Sequence, residues 1–344
     1  LQSVAMDPVP ERLDEPAVRA LLGRLGLASD GEPMRCEPLS GGVSSDILRI
    51  DLPGRSMCIK RALARLKVAA DWRVPVERSA HEAEWLRTAH RLRPANVPAP
   101  LGYDLPSGTL VLPWLPPDRY PVWKTMLREG RVDVGFAIAL GDLLADIHAG
   151  TAADAALAAR FDTGPLFHAL RLEPYLLATA SRHPSLAPRL RTLVAVTASL
   201  RVALVHGDVS PKNILAGTDG PVLLDAECAW YGDPAFDVAF CVNHLLLKCL
   251  WVRSARVALL EAARGLVERY LGCAAWEPRA GLARRIAALL PALMLARIDG
   301  KSPVEYLTAP AEQDCVRTFA ARRLLHPPDT PAELIDAWRD ALAA

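Results

Sequence analysis

An α+β chain of two lobes is what this sequence predicts: a small antiparallel-sheet lobe with one main helix, then a larger and mostly helical lobe. Three observations carry this. Three short runs with strand character, joined by turn-forming residues, lie between Met34 and Lys60. Apolar residues recur at helical spacing through most of the stretch after Val134. The chain's 344 residues, 51% of them apolar, suffice for two lobes around one cleft with a sizeable core. The expected division is a disordered start over residues 1–10, a first lobe over 11–113 and a second over 114–344. Leu1 to Ala5, ahead of Met6, read as an expression-tag remnant and are set aside.

The first strand runs are Met34–Leu39, Asp46–Asp51 and Ser56–Lys60. Leu52-Pro53-Gly54-Arg55 is an ordinary turn. Ser40-Gly41-Gly42-Val43-Ser44-Ser45 can do more, because glycines allow close backbone approach and hydroxyls donate to phosphate oxygens. Its spacing is not G-x-G-x-x-G, so alone it is a weak signal. Lys60 closes the third run. Residues 78–86 then begin a helix whose Ala83, Leu86, Ala89 and Leu92 recur at about one turn and which carries Glu82 and Glu84. After Val97-Pro98-Ala99-Pro100 and Gly102-Tyr103-Asp104 comes a further apolar run, Thr109 to Leu115.

The remainder reads as helical. Val134–His148 has Phe136, Leu140, Leu143, Leu144 and Ile147 on a broad apolar stripe, and Phe240–Trp251 and Val257–Leu271 form further core helices. Leu282–Arg297 adds another, which Pro291 should kink or break. No internal repeat appears.

Composition excludes several classes. A net charge of +1, with basic residues spread among acidic ones, gives no case for nucleic acid. No apolar run reaches membrane-spanning length without charge or proline; even Phe240–Val252 carries His244 and Lys248. Seven cysteines, Cys36, Cys58, Cys228, Cys241, Cys249, Cys273 and Cys315, form no C-x-x-C pair. They read as reduced thiols of a cytoplasmic protein, and the wealth of Pro, Ala and Arg suggests a bacterial source.

The chemistry concentrates in LVHGDVSPKNIL, Leu204–Leu215, and in LLDAECAWYGDPAFD, which begins at Leu223. Leu204-Val205 and Ile214-Leu215 are strand pieces on either side of a loop. Gly217-Thr218-Asp219-Gly220 is a turn, and Val222-Leu223-Leu224 returns antiparallel to bring Asp225 near Asp208 and Asn213. Two carboxylates and an amide at one point suit a hard divalent cation with phosphate cargo. Phosphoryl transfer wants this set: one carboxylate to accept the proton of an attacking hydroxyl, Asp208, and an amide and a carboxylate for magnesium, Asn213 and Asp225. Taken singly, an Asp after a strand or an Asn before an apolar pair is more often a turn former.

The stretch resembles the aminoglycoside phosphotransferase and choline kinase family, a small-molecule branch of the protein-kinase-like fold. His206, Asp208, Asn213 and Asp225 match its signature position by position. The resemblance implies ATP and Mg2+ as cofactors, Asp208 as the catalytic base, and structural roles for His206 and for Asp237, which would brace the loop. It is locally similar to methylthioribose kinases, in which the counterpart of Glu227 joins the metal shell; contact with metal and a solvated or capping acid stand equal for Glu227. By the same resemblance Ser40, Gly41, Gly42, Val43 and Ser44 would cover the nucleotide phosphates and Lys60, held by Glu82, would grip them. Glu84 is the fallback. Leu112 to Leu115, including Trp114, would form the hinge that pairs with the purine. Pro113 departs from the family pattern and removes a donor, which leaves ATP and GTP both open.

The acceptor is a small molecule with a hydroxyl. Asp233, Arg297, Asp299 and Lys301 are the candidates to meet it, against a plain reading of the last three as a capped helix end. The final third balances acids and bases, so a sugar or sugar-like alcohol is favoured over a polycationic antibiotic. A protein kinase fits poorly: Gly207 stands where regulated kinases carry an arginine, and eleven residues separate Asp225 from Asp237. The rival from another class is a nucleotide-binding regulator with a kinase fold and no turnover, against which the complete set Lys60, Asp208, Asn213 and Asp225 argues.

Overall fold

The computed structural model describes residues 13–39, 44–65 and 74–343. Ser40, Gly41, Gly42 and Val43 of the expected phosphate loop lie outside the described residues, as does the expected tag remnant. The chain divides into two compact units, Leu1–Ala83 with Ala99–Trp114, and Glu84–Pro98 with Leu115–Ala344. Besides the expected boundary near 114, the chain therefore crosses between units at 83–84 and 98–99.

In the first unit β1 (Arg35–Leu39), β2 (Ser45–Leu52), β3 (Arg55–Ala62), β4 (Gly102–Asp104) and β5 (Thr109–Pro113) form a sheet in the order β1-β2-β3-β5-β4, antiparallel throughout. The register sets Lys60 of β3 opposite Ile47 and Leu110. Helix α1 (Glu15–Arg24) had no counterpart in the sequence reading, although its start signal is complete. Asp14 accepts from the Ala17 N–H at 2.9 Å, and a proline follows in the first turn. Its Val18, Leu21 and Leu22 are buried with Ile50, Ile59 and Val111 in the core of this unit. Helix α2 (Arg78–Leu92) starts here and carries Glu82.

The second unit is mostly helical. It contains α3 (Trp123–Arg128), α4 (Val134–Thr151), α5 (Ala155–Arg160), α6 (Gly164–Phe167), a ten-residue π-helix over His168–Leu177, α7 (Ala178–Arg182) and α8 (Ala187–Ser199). Then come β6 (Ala203–Val205), β7 (Ile214–Gly217), β8 (Gly220–Leu223) and β9 (Trp230–Gly232), followed by α9 (Ala235–Trp251), α10 (Arg256–Cys273), α11 (Arg279–Asp299), α12 (Pro310–Leu325) and α13 (Pro331–Ala343). Strands β7 and β8 make the expected hairpin, with Ile214 opposite Leu223. The partner of β6 is β9, a strand the sequence did not signal, since three residues leave no periodicity to read.

Every residue of α9 from Ala235 to Leu250 is buried, which makes it the central helix of the unit, packed by α10 and α11. Gly141 of α4 lets that helix approach α10 closely; a Cβ there would lie 2.6 Å from the Leu266 carbonyl oxygen. By length and mean hydropathy, 1.2, α4 could cross a membrane, but half of it is buried within the protein, and its Asp142 and Asp146 pair with Arg269 and Arg93. Of the two expected effects of Pro291, a break is absent: α11 continues from Arg279 to Asp299. Burial of Ala287, Leu289, Leu290, Ala292 and Leu293 on both sides outweighs one missing N–H.

Candidate active site

The loop His206–Asn213 leaves β6 and is fixed from beneath by Asp237 at the start of α9. The buried Asp237 carboxylate accepts from the backbone N–H groups of His206 and Gly207, each at 2.8 Å, and lies 3.3 Å from His148 Nε2. His148 in turn meets the Tyr270 hydroxyl at 2.9 Å. Gly207 takes φ +77°, and a Cβ on it would stand 2.6 Å from the Cys228 carbonyl oxygen. Gly207→Ala is therefore expected to cost about 2–4 kcal/mol of stability, from a left-handed backbone and a backbone collision together. Denaturant unfolding checks this; a change under about 0.5 kcal/mol would contradict the local geometry.

His206 has its tautomer fixed by its neighbours. The Asp208 N–H donates to Nδ1 at 3.1 Å, so the proton sits on Nε2 and is donated to the Leu224 carbonyl at 3.1 Å. Burial holds its pKa below the ordinary value despite the pull of Asp237, Asp208 and Asp225. Trp85 of α2 packs edge-on against the ring. This is a positioning role, with the imidazole tying the loop to the segment that carries Asp225.

Asp208, only 3% exposed, has two cations on its Oδ2. Arg171 Nη2 stands at 2.8 Å and Lys212 Nζ at 3.4 Å from that oxygen. Burial works against the charge of Arg171, but Asp208 more than restores it and raises the guanidinium above its ordinary pKa. Asp208 raises that of Lys212 too, against burial. Arg171 comes from the π-helix and also donates to the Gly207 carbonyl at 2.7 Å. The π geometry is rare, and Pro174 within it cannot supply the N–H of a regular turn.

The metal-ligating candidates are stitched to the base. Asn213 Nδ2 donates to the Asp208 carbonyl at 3.1 Å, and the Asn213 carbonyl accepts from the Leu224 N–H at 3.0 Å. With its nitrogen so used, Asn213 Oδ1 is the atom turned to other work. Asp225 follows in a left-handed conformation, φ +67°, uncommon for a residue other than glycine and found preferentially at functional sites. Glu227 is buried on the same loop, close enough to act electrostatically on Arg171 and Cys228. Among the described residues no group of three or more His, Cys, Asp and Glu side chains forms a metal cage. The donors present, an amide oxygen and one or two carboxylates, suit magnesium, which keeps water and phosphate in its shell and needs few protein ligands.

In the first unit, Lys60 Nζ meets both Glu82 oxygens, at 2.9 and 2.7 Å, with both side chains buried. Glu84 instead pairs with Arg160 and Arg87 near the surface, so Glu82 is the residue that holds the lysine. Ser44 uses its carbonyl to accept from Leu63 N–H and Arg78 Nη2. At the expected hinge, Leu112 and Pro113 end β5 opposite Cys58 and Met57. The Trp114 N–H is given to the Ser56 carbonyl at 3.3 Å, and Arg49 covers the Trp114 ring at 4.9 Å. Of the three residues Leu112, Pro113 and Trp114, the last therefore lacks a spare backbone donor as well as the proline.

Three acceptor candidates are engaged in pairs within the protein. Asp233 is fully buried and bound by Arg285, itself paired with Glu277. Asp299 is held by Arg317 and by His183 Nε2, and Lys301 by Glu173. A helix end offers such residues to neighbouring helices before it offers them to a ligand. Arg297 differs: Nη1 donates to the Tyr175 hydroxyl at 3.2 Å and to Ser302, and Nε finds no partner. The sequence reading missed Arg171, for which no local signal exists, and Lys212, whose place one helical turn after Asp208 was legible.

Residues 35–282 match the family model described as "Phosphotransferase enzyme family". The methylthioribose kinase of Geobacillus thermodenitrificans is 26% identical over 281 residues, 73% of this chain and 69% of that protein. Among solved structures, Plasmodium vivax ethanolamine kinase superposes with TM-score 0.58 at 10% identity, covering 90% of this chain and 89% of that one. An aminoglycoside phosphotransferase from Alicyclobacillus acidocaldarius gives TM-score 0.52 at 14% identity, covering 94% and 96%. At such identities the structural likeness speaks for the fold, and it is the expected kinase-like α+β fold.

Proposed function

Because this chain belongs to the phosphotransferase enzyme family and is a small-molecule kinase, we propose that it transfers the γ-phosphoryl group of ATP, with magnesium, to a hydroxyl of a sugar or sugar-like alcohol. The observation that carries this reading is the direct bonding of the catalytic loop to the metal segment: Asp208 to Asn213, Asn213 to Leu224, and His206 to Leu224.

The acceptor hydroxyl is oriented by Asp208 Oδ1, while Arg171 and Lys212 fix the carboxylate through Oδ2. The oxygen–phosphorus bond forms as the bond from the γ-phosphorus to the bridging oxygen of ATP breaks. The hydroxyl proton passes to Asp208 and ADP leaves. Such a transition state is loose and asks for a base late, so a carboxylate braced by two cations is compatible with the role: it orients first and accepts the proton last. Lys60, held by Glu82, serves the nucleotide phosphates. Asn213 and Asp225, with Glu227, would hold magnesium, which when bound neutralises phosphate charge.

The sugar-like acceptor is supported by the methylthioribose kinase relative and by the lack of unpaired acids among the residues identified around the base. ATP consumption by the purified protein, measured against pentoses, hexoses, alditols, amino alcohols, nucleosides and aminoglycosides, is expected to show turnover with a sugar or alditol. Bound nucleotide with no turnover across that panel would favour a regulator without catalysis.

A further inference from the structure

Beside Asp208 lies a group of basic residues joined through aromatic rings. Arg171, which pairs with Asp208, lies over the rings of Tyr175 and Phe240 at 5.7 and 5.6 Å. Arg297 covers Tyr175 from another direction at 5.5 Å. His244 of α9 packs edge-on against Phe240 at 5.4 Å. One turn further along α9, Lys248 donates to the Tyr306 hydroxyl at 3.3 Å and lies over the rings of Tyr306 and Trp251 at 4.4 and 5.5 Å.

The charges do not balance. Asp208 is taken by Arg171 and Lys212, and Glu305 by Lys124. Among the described residues no carboxylate lies within ion-pair distance of Lys248, Arg297 or His244. Lys248 is 1% exposed. Burial, with Lys124 and Arg297 nearby, pushes its pKa down to about 7 even though Glu305 pulls the other way. His244 is pushed well below its ordinary value by burial and by Arg297, Lys248, Lys212 and Lys124. An unpaired buried cation is costly, so burial favours the neutral forms of Lys248 and His244, and an anion arriving beside them would favour their protonated forms. Of the group and its surroundings, Arg297, Trp251, Tyr306 and Lys124 are partly exposed, while Lys248 and His244 are buried.

We propose that the acceptor carries, besides its hydroxyl, an anionic group, carboxylate or phosphate, that Lys248 and Arg297 receive with His244 alongside. This inference rests on the kinase reading and narrows its substrate to a hydroxylated acid or a sugar phosphate. The aromatic rings exclude water around the cations and strengthen their pull on the anion. The same field repels polyamines.

The test compares D-ribitol, D-ribonate, D-ribitol 5-phosphate and kanamycin as acceptors with ATP and magnesium. One of the two anions is expected to show kcat/KM at least about tenfold above ribitol, and which one it is separates carboxylate from phosphate. Arg297→Gln and Lys248→Met should remove most of that preference through KM; where Lys248→Met does not fold, the partly exposed Arg297→Gln decides. Ribitol or kanamycin used as well as both anions, or a preference untouched by Arg297→Gln, would overturn the proposal and leave the kinase reading standing. Calorimetry with ribonate and ribitol 5-phosphate needs no turnover. Saturable binding lost in Arg297→Gln without any phosphorylation would sustain the anion site and sink the kinase reading, and absence of both binding and turnover overturns the anion site.

Discussion

Replacing Asp208 by alanine is expected to lower kcat by about 10³-fold or more while moving the nucleotide Kd less than about threefold. On the proposed mechanism the carboxylate orients the hydroxyl, and its loss would remove both that orientation and the site that accepts the proton. A second effect adds to the first. Arg171 and Lys212 would be left without the carboxylate they share, and a guanidinium released inside the protein would seek the acceptor or the phosphoryl group. Stopped-time assays of product together with nucleotide titrations read the two quantities separately. Lys60→Ala should show the opposite split, with weaker nucleotide binding or alignment, if the lysine that Glu82 holds grips the phosphates as proposed. Turnover of Asp208→Ala within about tenfold of wild type would exclude it as the base.

Asp237→Ala is expected to be the most damaging substitution for stability among the residues of the site, at about 3–5 kcal/mol. It would orphan two backbone N–H groups, those of His206 and Gly207, and leave the buried His148 Nε2 without its carboxylate. Water cannot replace the lost oxygens unless the alanine site opens, since Asp237 has no exposed surface. Asp237→Asn keeps one acceptor oxygen and should cost about half as much. Denaturant midpoints of the two variants supply the check, and a loss below about 1 kcal/mol for Asp237→Ala would mean that the loop is not held from α9.

What the sequence disclosed followed from how close in the chain the cooperating groups stand. Asp208, Asn213 and Asp225 lie on one loop and one hairpin, so turn residues and strand lengths already bring them together. Lys60 and Glu82 were legible as a strand end and a helix face, but preferring Glu82 to Glu84 rested on the family resemblance, because two residues turn a helix by about 200° and packing fixes the rotation. Arg171 was out of reach. It stands on a π-helix whose register no propensity announces, and it meets Asp208 only through tertiary packing. The partners of Asp233, Asp299 and Lys301 were out of reach for a related reason: a polar residue at a helix end looks alike in sequence whether or not it pairs with Arg285, Arg317 or Glu173. The cation group around Lys248 was invisible because its members come from the π-helix, α9, α11 and the segment after α11.

The single tautomer of His206 sets an acid limit on the enzyme's working range. Its Nδ1 accepts the Asp208 N–H and its Nε2 donates to Leu224, so an added proton would turn an acceptor into a donor facing another donor. The folded protein therefore resists protonation there, while the unfolded chain takes up the proton near the ordinary value of 6.5. The sign follows: stability supplied by neutral His206 is intact above that value and declines as pH falls below it, by up to about 1.4 kcal/mol per pH unit until the folded group also titrates. The cost falls first on the loop that carries the base, so acidification would cut turnover before the rest of the molecule unfolds. Protonation of a residue that ties the loop to the segment carrying Asp225 would thus weaken that tie in acid.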